Sequence, residues 1–244
     1  MFLYSKIVKL SFVPIICLVC LAGFTSDVAF DELHKLNIKY REMKEYSMDL
    51  SYKMFVSHTS TKAEQVSHSH YVKKDKIIYM DIEGLHTLQT EKYLIVVVDK
   101  DKKVMVSRPT KDVVNQTKIE DIEKSLNQTS TLKMTEEGNS RVFNVKFKPG
   151  AAQYEKINIY ENKKEGLIDK MVFYLGINMK LKPEDPSCKE DKPRMEVYYE
   201  NVKLQSDVDP ILLEESHYIK KKGSDIELSS YYKNYKLINN YLKN

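Results

Sequence analysis

The side chains that could do chemistry are few and poorly spaced for it. His68 and His70 stand two apart, so on a strand they would share a face and offer two imidazoles to a metal, with His58 across the next turn. Two ligands do not close a site, and an antiparallel pairing about Ser60-Thr61 carries His58 away from His68. These are read as solvated strand histidines, and His34, His86 and His217 have no neighbouring partner in sequence. The carboxylate pairs Glu136-Glu137 and Glu214-Glu215 could serve as acid and base, but adjacent residues on a strand point to opposite faces. The chain has only seven glycines and carries neither a Gly-x-Ser-x-Gly turn nor a phosphate-cradling loop. The sequence therefore reads as a protein without catalytic residues, metal ligands or cofactor, and not as an enzyme.

What remains is the chemistry of apolar surfaces. From Tyr93 to Pro109, the run Leu94-Ile95-Val96-Val97-Val98, the polar turn Asp99 to Lys103 and the run Val104-Met105-Val106 read as a β-hairpin. Both arms are apolar on both faces, which demands cover on each side, since an ordinary antiparallel sheet keeps one face wet. Upstream, Tyr46, Met48, Leu50, Tyr52, Met54 and Val56 alternate with Ser47, Asp49, Ser51, Lys53 and Phe55, the pattern of a strand with one apolar and one wet face.

The elements that must position these residues follow the same logic. Phe30, Leu33, Leu36, Tyr40 and Met43 recur at helical spacing and predict an amphipathic helix from Ala29 to about Lys44. Strands follow over 66–74, 76–82 and 85–90, then the hairpin. After Pro109, Ile119, Ile122 and Leu126 predict a second helix. Strands resume over 132–135, 141–147, 154–160, 167–175 and 194–204, with a proline-rich loop over 182–193 and a short apolar piece at Ile211 to Leu213. The fold class is α+β, mainly β: a large antiparallel sheet of eight or more strands, which curls because strands twist, with two helices.

Residues 1–25 read as an export signal, with Lys6 and Lys9 ahead of an apolar stretch from Leu10 to Phe24 interrupted by Pro14. Cys20 is a weak lipidation candidate, because Val19 before it is bulky where such sites want a small residue. If the signal is removed, Cys188 is the one cysteine left, so stability must come from packing. The net charge is +4 with acids and bases interspersed, unlike the concentrated basic face of a nucleic-acid binder. The expected organisation is a signal over 1–25, one domain over 26–219, and a basic, tyrosine-rich tail over 220–244.

Three stretches resemble the outer-membrane lipoprotein carrier superfamily, the LolA-like carriers and their lipidated LolB-like receptor relatives. They are Tyr71-Val72-Lys73-Lys74 with Ile78-Tyr79, Ile95-Val96-Val97-Val98-Asp99 with Val104-Met105-Val106, and Met195 to Asn201 with Asp207 to Leu213. The chain departs from the pattern at Lys74-Asp75, where the family commonly has arginine then proline, and it has no tryptophan. The resemblance implies a half-open β-barrel whose concave apolar face, covered by the two helices, takes up acyl chains of lipoproteins or lipids without catalysis. It also implies an exported, periplasmic protein of a Gram-negative envelope, a monomer that meets envelope membrane proteins and no nucleic acid. The lining residues expected on that basis are Met48, Leu50, Tyr52, Met54, Val96, Val98, Phe143, Val145 and Phe147, with Lys74 as a polar lid contact. Val96 and Val98 lie on the opposite face from Ile95 and Val97, only one set can face the cavity, and the sequence leaves open which; Val96 and Val98 are the set named here. The competing reading is a non-carrier envelope module, or a lipidated receptor or assembly protein, that uses its tyrosine-rich tail as contact surface.

Overall fold

A computed structural model describes residues 27–109, 129–150, 153–185, 190–223 and 225–241. Helix α1 (Asp27–Glu42) is followed by β1 (Glu45–Phe55), β2 (Gln65–Lys74), β3 (Ile77–Ile82), β4 (Leu85–Gln89), β5 (Leu94–Val98) and β6 (Lys103–Ser107). Then come β7 (Thr129–Glu137), β8 (Ser140–Phe147), β9 (Tyr154–Asn162), β10 (Leu167–Leu175) and β11 (Arg194–Lys203). The chain closes with one turn of helix, α2 (Glu215–Tyr218), and with β12 (Ile219–Lys222), β13 (Asp225–Leu228) and β14 (Lys236–Asn239). The fold is α+β and mainly β, as expected. Twelve strands hydrogen-bond in the order β14-β6-β5-β4-β3-β2-β1-β11-β10-β9-β8-β7, an open order ended by β14 and β7, while β12 and β13 pair separately. The predicted helix around Ile119 to Leu126, the export signal and Cys188 lie outside the described residues.

The chain divides into two compact units, the first comprising residues 1–41, 53–65 and 115–198 and the second residues 42–52, 66–114 and 199–244. In the first unit, β7 to β11 form a regular meander whose register sets two cross-strand rows on one face. These are Leu132, Val145, Ile157, Phe173 and Met195, and beside them Met134, Phe143, Ile159, Met171 and Val197. All but Met134 are buried. A further row on this face pairs Arg141 with Glu161, and there α1 docks. Arg141 Nη1 donates to Glu32 at 2.6 Å and to Glu161 at 3.1 Å, Ile168 N donates to the Tyr40 hydroxyl at 2.9 Å, and Lys39 donates to the Glu165 carbonyl. The buried stripe of α1 is Ala29, Leu33, Leu36 and Tyr40, so the spacing locates the helix correctly but its inner edge passes through Ala29, with Phe30 only half-buried.

The second unit holds the hairpin. β2 to β6 run as an antiparallel meander, with Ile95 opposite Leu88 and Val106, and Val97 opposite His86 and Val104. Glu83 and Gly84 both take positive φ, the geometry of the tight turns that join β-hairpins without splaying the strands. The segment expected as a free tail is folded over its described part. β14 adds to β6 in parallel, Leu237 beside Val104, and Leu213 ahead of α2, Tyr218 on α2, Ile219 on β12, Ile226 on β13 and Tyr232 after β13 pack with Val72, Tyr79, Leu88, Ile95, Val97, Val104 and Val106.

Candidate functional site

In the second unit the two faces of the sheet differ in what covers them. Because residues directly opposite across strands share a face, the register defines a row Tyr71, Met80, Thr87, Val96 and Met105, flanked by Lys73, Ile78, Gln89 and Leu94 on one side and by Ile82, Leu85 and Val98 on the other. β1 joins the same face. Its Tyr46 ring lies 5.8 Å from that of Tyr71, and Ser69, on the Tyr71 face of β2, donates to the Tyr52 hydroxyl. Strand alternation then brings Met48 and Leu50 onto this face too. It is the opposite face, carrying Ile95 and Val97, that the C-terminal segment covers.

The expected lining residues therefore sort cleanly. Met48, Leu50, Tyr52, Val96 and Val98 fall on one face of the second unit, the face away from the C-terminal cover. Met48 and Leu50 are 0% and 1% exposed and Val96 is 8% exposed, while Val98, Ile78, Ile82, Leu85, Leu94 and Met105 are half-buried. In the first unit Phe143 and Val145 sit fully buried in the two apolar rows, Phe147 continues their face at the end of β8, and Met54 is half-buried on β1. Lys74 pairs with Ile77 and shares the face of Val72, opposite to Met48 and Val96. The cations on this face are Lys103, opposite Val98, and Lys73, whose ammonium lies 5.6 Å from the Tyr46 ring centre and whose pKa is lowered by burial. Period-two counting from Tyr71 would have separated Lys73 from Lys74.

The face is not wholly apolar. Burial pushes the Tyr52 hydroxyl up to about 12, against a smaller opposing effect of its hydrogen bond with Ser69, and pushes that of Tyr71 higher still. Both stay protonated at neutral pH, and the Tyr52 hydroxyl accepts a hydrogen bond from Ser69. Thr87 and Gln89 are buried beside Val96, and Gln89 Oε1 has no hydrogen-bond partner among the described residues. The arrangement suits a ligand with a long apolar body and a few polar atoms. It offers no paired acid and base on this face.

On the other face, β1 is not wet. Ser47 and Ser51 are buried, at 0% and 4% exposed, and Ser47 donates to the Gln205 carbonyl at 2.9 Å. Small hydroxyl side chains satisfied by backbone look solvent-facing in sequence and are not. His70 hydrogen-bonds Asp49 at 2.7 Å, and Asn201 donates to the other oxygen of the same carboxylate. That hydrogen bond to His70 is the main reason the Asp49 carboxyl titrates below its usual range. His68 is exposed. Among the described residues no three His, Cys, Asp or Glu side chains group as a metal site would need.

No protein-family model and no curated protein matches the chain. Solved structures do. An uncharacterised conserved protein from Thermus thermophilus aligns at TM-score 0.47 and 10% identity over 87% of this chain and 99% of its own. A LolA superfamily protein from Nitrosomonas europaea aligns at 0.33 and 12%, over 77% and 97%. The lipoprotein LppX from Mycobacterium tuberculosis aligns at 0.40 and 8%, over 76% and 100%.

Proposed function

We propose that this protein is an exported carrier of the cell envelope that holds the acyl chains of lipoproteins or lipids against an apolar sheet face, by hydrophobic binding without catalysis. The observation that carries the reading is the sorting of the second unit. The C-terminal segment packs on the Ile95 face, while the Met48, Leu50, Tyr52, Val96 and Val98 face presents apolar side chains, several half-buried, interleaved with tyrosine hydroxyls, Thr87 and Gln89. Each methylene taken from water is worth about 0.8 kcal/mol. A long acyl chain therefore releases on the order of 10 kcal/mol before the costs of association, enough for useful affinity without any directional chemistry. Methionines at positions 48, 80 and 105 suit a site that must adapt to chains of different length.

The test is saturable binding of a fluorescent fatty acid to the purified protein. Val98→Glu, at a half-buried position that tolerates a charge better than Met48, should abolish binding in protein that still melts cooperatively. Lys74→Glu, on the opposite face, should leave it intact. Absence of saturable binding, or equal binding by the parent and Val98→Glu, overturns the proposal.

A further inference from the structure

The apolar face of the second unit carries one buried polar atom that its own fold leaves unpaired. Among the described residues of this unit, the buried side-chain atoms without a hydrogen-bond partner are His70 Nε2, Gln89 Oε1 and His217 Nε2. His70 stands opposite Asp81 and shares the face of Val97, and His217 belongs to the C-terminal cover. Gln89 alone of the three stands on the Val96 face, and it is 2% exposed.

The sheet itself gives no reason for an amide at this position. Directly across from Gln89 are Ile78 on β3 and Leu94 on β5. Thr87, two residues back on the same face, stands between Met80 and Val96. Leucine or methionine would fill a similar volume without burying an unpaired acceptor, which costs stability. A buried acceptor of this kind calls for a partner from outside the fold.

Gln89 is also held in place and within reach. It is the last residue of β4, and the turn after it is fixed. Thr90 N donates to the Tyr93 carbonyl at 2.8 Å, while Lys92 N and Tyr93 N donate to Thr90 Oγ1 at 3.2 and 3.1 Å. Thr90 Oγ1 in turn donates to Glu215 at 2.5 Å. The row across the strands at this end is Lys73, Ile78, Gln89, Leu94 and Ser107, and every member except Gln89 is half-buried. Solvent therefore meets the row on both sides of the amide, and a ligand reaches it by parting Ile78 from Leu94.

We infer that Gln89 selects the linkage of the bound acyl chain, and that this linkage is an amide. The inference rests on the carrier reading above. A carbonyl oxygen pairs with a donor, and a plain acyl chain has none along its methylenes. Its linkage is the first place that can offer one. An ester or a free carboxylate brings acceptors alone and sets oxygen against oxygen, whereas an amide N–H donates. With the chain laid over Met80, Val96 and Met105, the linkage falls at the strand ends, where Gln89 stands.

The experiment compares two probes that differ only in N–H against O: an acylethanolamide and the 2-hydroxyethyl ester of the same acid. Each is titrated against the purified protein by displacement of the fluorescent fatty acid. The parent should hold the amide about tenfold more tightly than the ester. In Gln89→Leu the preference should vanish through loss on the amide, with the ester bound as before or more tightly. Gln89→Met repeats the measurement if Gln89→Leu does not melt cooperatively. Thr87→Val, which removes the neighbouring hydroxyl from the same face, should keep the preference. Equal affinity of the parent for the two probes overturns the inference and leaves the carrier reading standing. So does a preference that survives the loss of Gln89, or one that disappears in Thr87→Val. Failure of the parent to bind either probe overturns the carrier reading and this inference with it.

Discussion

At the scale of residues, His217 shows what burial does to a titratable group. Its ring lies 4.4 to 5.5 Å from those of Tyr218, Tyr231 and Tyr232, and its Nε2 is buried without a hydrogen-bond partner among the described residues. Burial lowers its pKa below the ordinary 6.5, outweighing Asp209 and Glu214, which act in the other direction. The folded state therefore binds its proton less readily than the unfolded chain. The stabilisation is complete above about pH 6.5 and is lost as pH falls through the lower folded value. Melting temperatures measured at pH 7.5 and pH 5.5 should differ less for His217→Phe than for the parent, and an unchanged difference would refute the assignment. Of its ring partners, Tyr218 is its neighbour in sequence, while Tyr231 and Tyr232 reach it only through the fold of the C-terminal segment. Alternation separates Val96 and Val98 from Ile95 and Val97 and groups Met48 with Leu50, but only the cross-strand register puts Met48, Leu50, Val96 and Val98 on one face. Counting from Tyr71 puts Lys73 on the Tyr71 face and Lys74 on the face of Val72.

At the scale of elements, the C-terminal segment is where reading the sequence fell short. Both arms of the 93–109 hairpin are apolar on both faces, and the segment that covers the Ile95 face reads in sequence as a basic, tyrosine-rich tail. The reason is physical: β12, β13 and β14 are four residues each and carry too few apolar positions to show a period. The buried ones, Tyr218, Ile219, Ile226 and Tyr232, are spread among exposed neighbours. The segment is held by more than apolar contact. Ser229 bonds the backbone of His217 and Tyr218, Tyr235 donates to Asp99, and Lys236 N donates to the Lys102 carbonyl. Tyr231 and Tyr232 make the test, since one is 72% exposed and the other 5%. Tyr232→Ala should cost about 3 kcal/mol or more in urea unfolding, as other large buried aromatics do, and Tyr231→Ala less than about 1 kcal/mol. Equal effects would mean that the segment is a tail after all.

At the scale of the whole molecule, strands β1 to β11 were legible, ten of them to within two residues of their ends and β7 only as its middle, 132–135 of Thr129–Glu137, because each meander strand is bounded by turn residues and paired with a sequence neighbour. What alternation cannot supply is where the chain works, and that depends on its first residues. The apolar stretch from Leu10 to Phe24 is about 15 residues long and broken by Pro14, short of the roughly 20 that a membrane-spanning helix needs. No helix among the described residues is long and apolar enough to cross a membrane. A carrier must leave the membrane with its load, so the proposed function requires that this stretch be cut away and that Cys20 go with it. Expressed with residues 1–25 in a Gram-negative host, the protein should be released with the periplasmic fraction, and its intact mass should match a chain beginning between Gly23 and Asp27. A chain that begins at an acylated Cys20 and stays with the membranes would instead make it an anchored receptor.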